Sequence, residues 1–190
     1  MKQMEEKILR EGEVLPGDIL KVGSFLNQNI DTEFLGQMAR EIARLFENER
    51  VTKILTIEAS GIAIAAAAGM SMGVPVLFAK KHRTSNVDGS IYSSVVHSFT
   101  HNEDYNVVVS SDYLNANDRV LLVDDFLASG NALRGLVDLC DQAGATLVGM
   151  AVAVEKCFSG AGDEFRAQGI HVESLALIES MSEDGIVFRS

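Results

Sequence analysis

The chain has 190 residues, 47% of them hydrophobic and 23% charged, with a formal net charge of −11 at pH 7. That length fits one domain with a substantial core, and the acidic balance argues against a duplex nucleic-acid binder or a protein drawn to acidic membranes. No apolar run approaches bilayer-spanning length, the start Met-Lys-Gln-Met-Glu-Glu-Lys lacks a signal-type apolar region, and Cys140 and Cys157 form no CxxC pair, so a reduced, cytoplasmic protein with no membrane or nucleic-acid partner is expected.

Residues 1–11 read as a short polar helix stopped by Gly12, followed by a turn at Pro16-Gly17-Asp18 and a brief apolar run from Ile19. Asp31 suits the cap of a helix in which Leu35, Met38, Ile42, Leu45 and Phe46 share one face. From Lys53 the pattern becomes strand–helix alternation. A strand over 53–57, a turn over 58–61 and an alanine-rich helix over 62–72 lead to Gly73 and a strand over 74–79. Further strands are predicted over 106–110, 119–123, 146–154 and 171–178, with a helix over 131–143 stopped by Gly144. Near-continuous apolar strands between helices imply a mainly parallel α/β sheet covered on both faces. The expected organisation is one domain over 1–190, with an N-terminal helical segment at 1–50 and the α/β core at 51–190. Residues 82–105 fit no helical period, although 91–99 suits strand pieces. A loop of that length is either a lid or a two-stranded excursion.

In such sheets ligands bind beyond the carboxyl ends of the strands, and the informative residues fall there: Glu58–Gly61, Lys80–Lys81, Asp124–Ala132 and Glu155–Phe158. The segment Arg-Val-Leu-Leu-Val-Asp-Asp-Phe-Leu-Ala-Ser-Gly-Asn-Ala at 119–132 joins a buried strand, two acids, a small-residue turn and a helix start. Free backbone N–H groups at a helix N-terminus, with its partial positive charge, suit a phosphate. The adjacent carboxylates need hydroxyls, a metal ion or an amine instead. A phosphorylated sugar offers both halves. An isolated Asp-Asp pair, by contrast, is as readily a strand-terminal acid and a helix cap.

Val-Leu-Leu-Val-Asp-Asp-Phe-Leu-Ala-Ser-Gly-Asn-Ala resembles the phosphoribosyl-pyrophosphate (PRPP) motif of the type I phosphoribosyltransferases. Leu-Lys-Val-x-Ser-Phe-Leu-Asn at 20–27, Thr-Ile-Glu-Ala-Ser-Gly-Ile at 56–62 and Val-Glu-Lys-Cys-Phe at 154–158 extend the likeness over essentially the whole chain, and are similar to the Gram-positive branch of the family that uses xanthine. The resemblance implies the type I phosphoribosyltransferase fold, a mainly parallel twisted sheet flanked by helices with an N-terminal hood over 1–50 and a long flexible loop. It implies a purine-salvage enzyme that moves the 5-phosphoribosyl group of PRPP to xanthine, giving xanthosine monophosphate and pyrophosphate.

By the same resemblance, Asp124 and Asp125 take the ribose hydroxyls, and Ala128, Ser129, Gly130, Asn131 and Ala132 the 5-phosphate. Glu58, Ala59, Ser60 and Gly61 form a pyrophosphate loop, with Lys80 and Lys81 positioned to neutralise it. Leu20, Asn27, Lys156 and Phe158 face the base: Lys156 as donor to a purine oxygen, Phe158 as a stacking ring. Mg²⁺ arrives chelated by PRPP, with no direct protein metal site, and the partners are PRPP and a purine base in a homodimer. A closing lid excludes water from an oxocarbenium-like transition state; residues 82–105 are the candidate, with Tyr92 or Ser94 reaching the leaving group. Ala128 stands where oxopurine-using relatives often carry a carboxylate, so no general acid or base is assigned. The alternatives are an adenine or guanine/hypoxanthine phosphoribosyltransferase, or a PRPP-binding regulator on the same fold. For a regulator, residues 1–50 are too short and acidic to supply a nucleic-acid-binding module.

Other chemistries fit less well. His97-x3-His101 has helical metal-ligand spacing in a stretch that is not helical. GxxxxGK is absent, and Ser129 has no obvious His partner. Cys140 reads as core, and Cys157 lies beside the proposed base pocket.

Overall fold

A computed structural model describes residues 1–81, 90–98 and 103–189, without the side chains of Ser98 and Glu103. Among these residues the elements run in order as α1 (Lys2–Glu11), β1 (Glu13–Leu15), β2 (Ile19–Lys21), a π-helical turn (Gly23–Asn27), α2 (Thr32–Leu45), β3 (Lys53–Ile57), α3 (Gly61–Met72) and β4 (Val76–Ala79). They continue as β5 (Ile91–Ser98), β6 (Glu103–Ser110), β7 (Arg119–Leu127), α4 (Asn131–Ala143), β8 (Thr146–Lys156), a 3₁₀ turn (Cys157–Ser159), α5 (Ala161–Ala167), β9 (Val172–Ser182) and β10 (Gly185–Phe188).

Six strands among the described residues form one sheet in the order β10-β9-β8-β7-β3-β4, with every pairing parallel except β10 on β9. The alternation of side chains along a strand divides the core in two. Ile54, Leu121, Val123, Ala151 and Ala153 face a cluster with Met4, Ile8, Met38, Ile42 and Ile64, from α1, α2 and α3. Leu55, Val120, Leu122, Met150 and Val152 face the other way, onto Leu133, Leu136 and Phe165 of α4 and α5. Both faces are therefore covered by helices, and the central strands are apolar at consecutive positions. Gly73 and Gly144 end α3 and α4 in the left-handed conformation, at φ 70° and 66°, and the Asp31 carboxylate caps α2 by accepting from Phe34 N–H at 3.0 Å.

The N-terminal segment packs into the same apolar cluster as β3 and β7 through Leu20, Phe25, Leu26 and Phe34. Three sequence expectations change. The 106–110 strand belongs to β6, which pairs antiparallel with β5 outside the main sheet. A β10 edge strand follows β9. Finally, β7 continues beyond Val123 to Leu127, because β8 offers partners as far as Glu155: Asp124 opposes Val152, Phe126 opposes Val154 and Leu127 opposes Glu155.

The β5–β6 hairpin lies along α4 and meets the end of β4, where Lys80 and Val108 exchange backbone hydrogen bonds of 2.9 Å. Val96, Val107 and Val109 carry it into the core. Half of the stretch expected as a lid, 82–89 and 99–102 including His101, lies outside the described residues. No helix among the described residues is long and apolar enough to cross a membrane.

Candidate functional site

Four features converge at the carboxyl edge of the parallel sheet. The first is the acid pair. Asp124 and Asp125 are only 5% and 8% exposed, and each is tied to its own strand: Asp125 N–H donates to Asp124 Oδ1 at 2.9 Å, and Phe126 N–H to Asp125 Oδ1 at 3.0 Å. Burial, then the charge of Asp125, pushes the Asp124 carboxyl well above the usual carboxylate range.

The second feature is the β3–α3 turn. Glu58 N–H donates to the Ala79 carbonyl at 3.0 Å, and the Glu58 carboxylate accepts from Lys81 N–H at 2.7 Å, so the turn and the Lys80–Lys81 segment are one unit. Lys81 Nζ lies 5.2 Å from the centre of the Tyr105 ring, and its charge favours the ionised form of Asp124. No side-chain cap closes the N-terminus of α3; Ile62 N–H turns back to the Ala59 carbonyl at 3.2 Å, and a helix start of this kind suits an anion at its other free N–H groups. Gly61 is required by space: a Cβ there would lie 2.2 Å from Thr56 Oγ1 and 3.0 Å from Asp124 Oδ1. Thr56 Oγ1 is buried without a hydrogen-bond partner.

The third feature is the start of α4. Gly130, at φ 78°, turns the chain from Ser129 into the helix, and this N-terminus also has no side-chain cap. A Cβ on Gly130 would lie 2.9 Å from Ala161 Cβ and 3.2 Å from Phe165. Arg134 braces the turn from outside, donating to the Ser129 carbonyl at 2.6 Å while pairing with Glu164 at 2.5 Å and lying over the Phe165 ring. With the Ser129 carbonyl drawn toward Arg134, the neighbouring N–H groups are left for a ligand. Arg134 was not among the expected site residues. Its signal in the sequence is a cation in the first helical turn, where the helix dipole disfavours it.

The fourth feature is a cavity of about 590 Å³ lined by Ala128, Ser129, Asn131, Ala132, Lys156 and Phe158, all named from the sequence. Gly17 and Asp18 of the β1–β2 turn, Ile19 of β2, Ser159, and Val96, His97 and Tyr105 of the hairpin complete it. Lys156 Nζ donates to the Asp18 carbonyl at 2.6 Å and sits 5.6 Å from the Phe126 ring centre; burial lowers its pKa from the ordinary lysine value. Phe158 is 42% exposed, leaving ring surface uncovered.

Other expected residues lie elsewhere. Leu20 is 6% exposed and packs into the apolar cluster, while its neighbour Ile19 reaches the cavity. Asn27 Nδ2 donates to Asp125 Oδ2 at 3.3 Å. The Asn131 amide is engaged by the His97 carbonyl at 3.0 Å. Tyr92 packs against the core, and Ser94 lies along α4 beside Gly135 and Arg134, neither lining the cavity. His97 Nδ1 meets Asp104 Oδ1 at 2.7 Å. No group of three His, Cys, Asp or Glu suited to a metal occurs among the described residues.

These elements define a doubly wound α/β protein with two uncapped helix starts and an acid pair on one sheet edge. Residues 28–167 match the phosphoribosyl transferase domain, and the chain belongs to that family, with its type I fold. A xanthine phosphoribosyltransferase of Bifidobacterium longum subsp. infantis is 52% identical over 192 residues, covering 100% of both chains. One from Lachnoclostridium phytofermentans is 47% identical over 191 residues, covering 100% of this chain and 98% of the other. Among solved structures, adenine phosphoribosyltransferase from Rhodothermus marinus superposes with a TM-score of 0.74 at 16% identity, over 92% of this chain and 98% of that one. A Trypanosoma brucei adenine phosphoribosyl transferase in complex with AMP, pyrophosphate and ribose-5-phosphate gives 0.73 at 20% identity, over 90% and 78%. At those identities the structural likeness concerns the fold alone.

Proposed function

We propose that this chain transfers the 5-phosphoribosyl group of PRPP to xanthine, releasing pyrophosphate and forming xanthosine monophosphate. The observation that carries the reading is the common edge shared by the acid pair, two uncapped helix starts and a cavity holding Lys156. Full-length likeness to xanthine phosphoribosyltransferases at about half identity supports the choice of base.

In this reading the Ala128–Ala132 amides hold the 5-phosphate and Asp124 and Asp125 accept from the ribose hydroxyls in charge-assisted bonds. The Glu58–Gly61 turn and Lys81 hold the diphosphate. Lys156 donates to an oxopurine oxygen, and Phe158 covers the ring. Mg²⁺ enters with PRPP, held by diphosphate and ribose oxygens, and offsets charge on the departing pyrophosphate. Rate then comes chiefly from alignment of donor and acceptor. The protein works in the cytoplasm as a homodimer, a state supported by Phe78, exposed on edge strand β4. Pyrophosphate release from Mg²⁺–PRPP, measured with xanthine and with each competing purine, tests the reading.

A further inference from the structure

Tyr105 lines the cavity but has no part in the contacts proposed above. Its place is set by β6. Tyr105, Val107 and Val109 alternate onto one face of that strand and pack into the core around α4, and Tyr105 opposes Val96 across the hairpin. Val96 is buried in the space that Gly135 leaves on α4. Two backbone bonds of 2.9 Å between Lys80 and Val108 then tie β6 to the end of β4, which brings Lys81 up to the ring. Lys81 N–H is held by the Glu58 carboxylate at 2.7 Å, and Lys81 Nζ rests over the Tyr105 ring, 5.2 Å from its centre. Among the described residues that ammonium makes no ion pair. Asp124 completes the group: burial, then the charge of Asp124, raises the Tyr105 phenol above its ordinary value, and Lys81 in turn favours the ionised form of Asp124.

We propose that Tyr105 is a positioning residue for the diphosphate: its ring face holds the Lys81 ammonium beside the β3–α3 turn by a cation–π contact, ready for the anion. This rests on the reading of that turn and Lys81 as the diphosphate site. A lysine that is free to rotate loses side-chain entropy when it engages a ligand. One already resting on a fixed ring has lost part of that freedom beforehand, so less is lost on binding. The ring quadrupole attracts the cation without neutralising it, so the full charge stays available to the diphosphate. A carboxylate partner would position Lys81 equally well but would cancel that charge.

Titration calorimetry with two ligands separates this role from a structural one: Mg²⁺–pyrophosphate, which needs Lys81, and ribose 5-phosphate, which has no diphosphate. Tyr105→Leu keeps an apolar side chain but removes the ring face. It is expected to weaken Mg²⁺–pyrophosphate binding on the order of fivefold while ribose 5-phosphate binding holds. Tyr105→Phe, which keeps the face and loses only the hydroxyl, is expected to retain the pyrophosphate affinity. In a Lys81→Met background the leucine substitution should have no further effect, because the two residues act as one unit. Unchanged pyrophosphate binding in Tyr105→Leu, an equal loss in Tyr105→Phe, or an equal loss for both ligands overturns the inference. Tyr105→Met carries the same test if the leucine variant does not fold. Pyrophosphate binding that is unmoved by Lys81→Met alone would remove the diphosphate reading of Lys81 and the inference with it. Binding that falls in Lys81→Met but not in Tyr105→Leu would remove the inference and leave that reading standing.

Discussion

Lys156 Nζ and the Asp18 carbonyl oxygen, 2.6 Å apart, join the end of the central sheet to the turn of the N-terminal hairpin. The contact makes Lys156 both a wall of the cavity and the latch of its rim. Removing it should act on base binding more than on PRPP. Lys156→Ala is expected to raise the KM for xanthine on the order of tenfold, the scale of one hydrogen bond to a charged donor, with a much smaller change for adenine. Amide exchange at Asp18–Leu20 should also quicken. An unaltered xanthine KM would exclude Lys156 as the donor.

Asp124 predicts a trade of stability against binding. Its carboxyl is raised above the ordinary 3.8 by burial and by Asp125, so the folded chain keeps a proton that the unfolded chain releases. The stability this proton contributes is complete below about pH 3.8 and is lost as pH rises through the higher folded value. Asp124→Asn keeps a neutral side chain at every pH. Its melting temperature should exceed that of wild type by an amount that grows from acid to neutral pH, about 2–4 °C for each kcal/mol regained. PRPP binding should weaken, and more so in the double variant with Asp125→Asn. Parallel melting curves across pH would contradict the assignment.

Arg134 touches the phosphate cradle through the Ser129 carbonyl at 2.6 Å and Asn131 Oδ1 at 3.4 Å, with no part facing the base. Arg134→Ala should therefore raise the KM for PRPP roughly fivefold, by analogy with one lost hydrogen bond, with kcat little changed. Arg134→Lys should restore part of the loss, because a lysine keeps a cation there but not the fork that reaches both Ser129 and Glu164. A fall in kcat with an unmoved KM would place the effect elsewhere.

Glu155 is fully buried at the end of β8, where both carboxylate oxygens accept from Arg166, at 2.8 and 2.6 Å, and Ser174 Oγ–H donates to one of them. Glu155→Ala should destabilise by about 3 kcal/mol, the low end for breaking a buried pair because Arg166 stays partly in water. Gly162 belongs to the same arrangement, since a Cβ there would lie 2.0 Å from Glu155 Oε1. Urea unfolding of the variant measures the loss. A change below 1 kcal/mol would show the pair to be a surface contact in its energetics.

Much of this was legible in the sequence because local signals and fold agreed. Asp31 announced α2, Gly73 and Gly144 ended their helices, and the alternation of Val120 to Val123 between two cores follows from strand geometry. Adjacent carboxylates look like a strand stop, so the sequence pattern ends β7 at Val123, whereas partners on β8 carry the strand past them to Leu127. The β5–β6 hairpin was only half visible, since its packing against α4 depends on Gly135 leaving room for Val96, 2.4 Å from where a Cβ would stand. The Asn27–Asp125, Lys156–Asp18 and Arg134–Ser129 bonds span 98, 138 and 5 positions. The first two are tertiary contacts that no local pattern encodes. The third lies within reach of a sequence reading, and the misplaced cation was its sign.

The central claim is the pairing of this PRPP site with an oxopurine acceptor. Pyrophosphate release from Mg²⁺–PRPP should be measured separately with xanthine, guanine, hypoxanthine and adenine at equal concentrations. The account predicts turnover with the highest kcat/KM for xanthine and the lowest for adenine. Release with adenine above xanthine, or no release with any of the four, would contradict it.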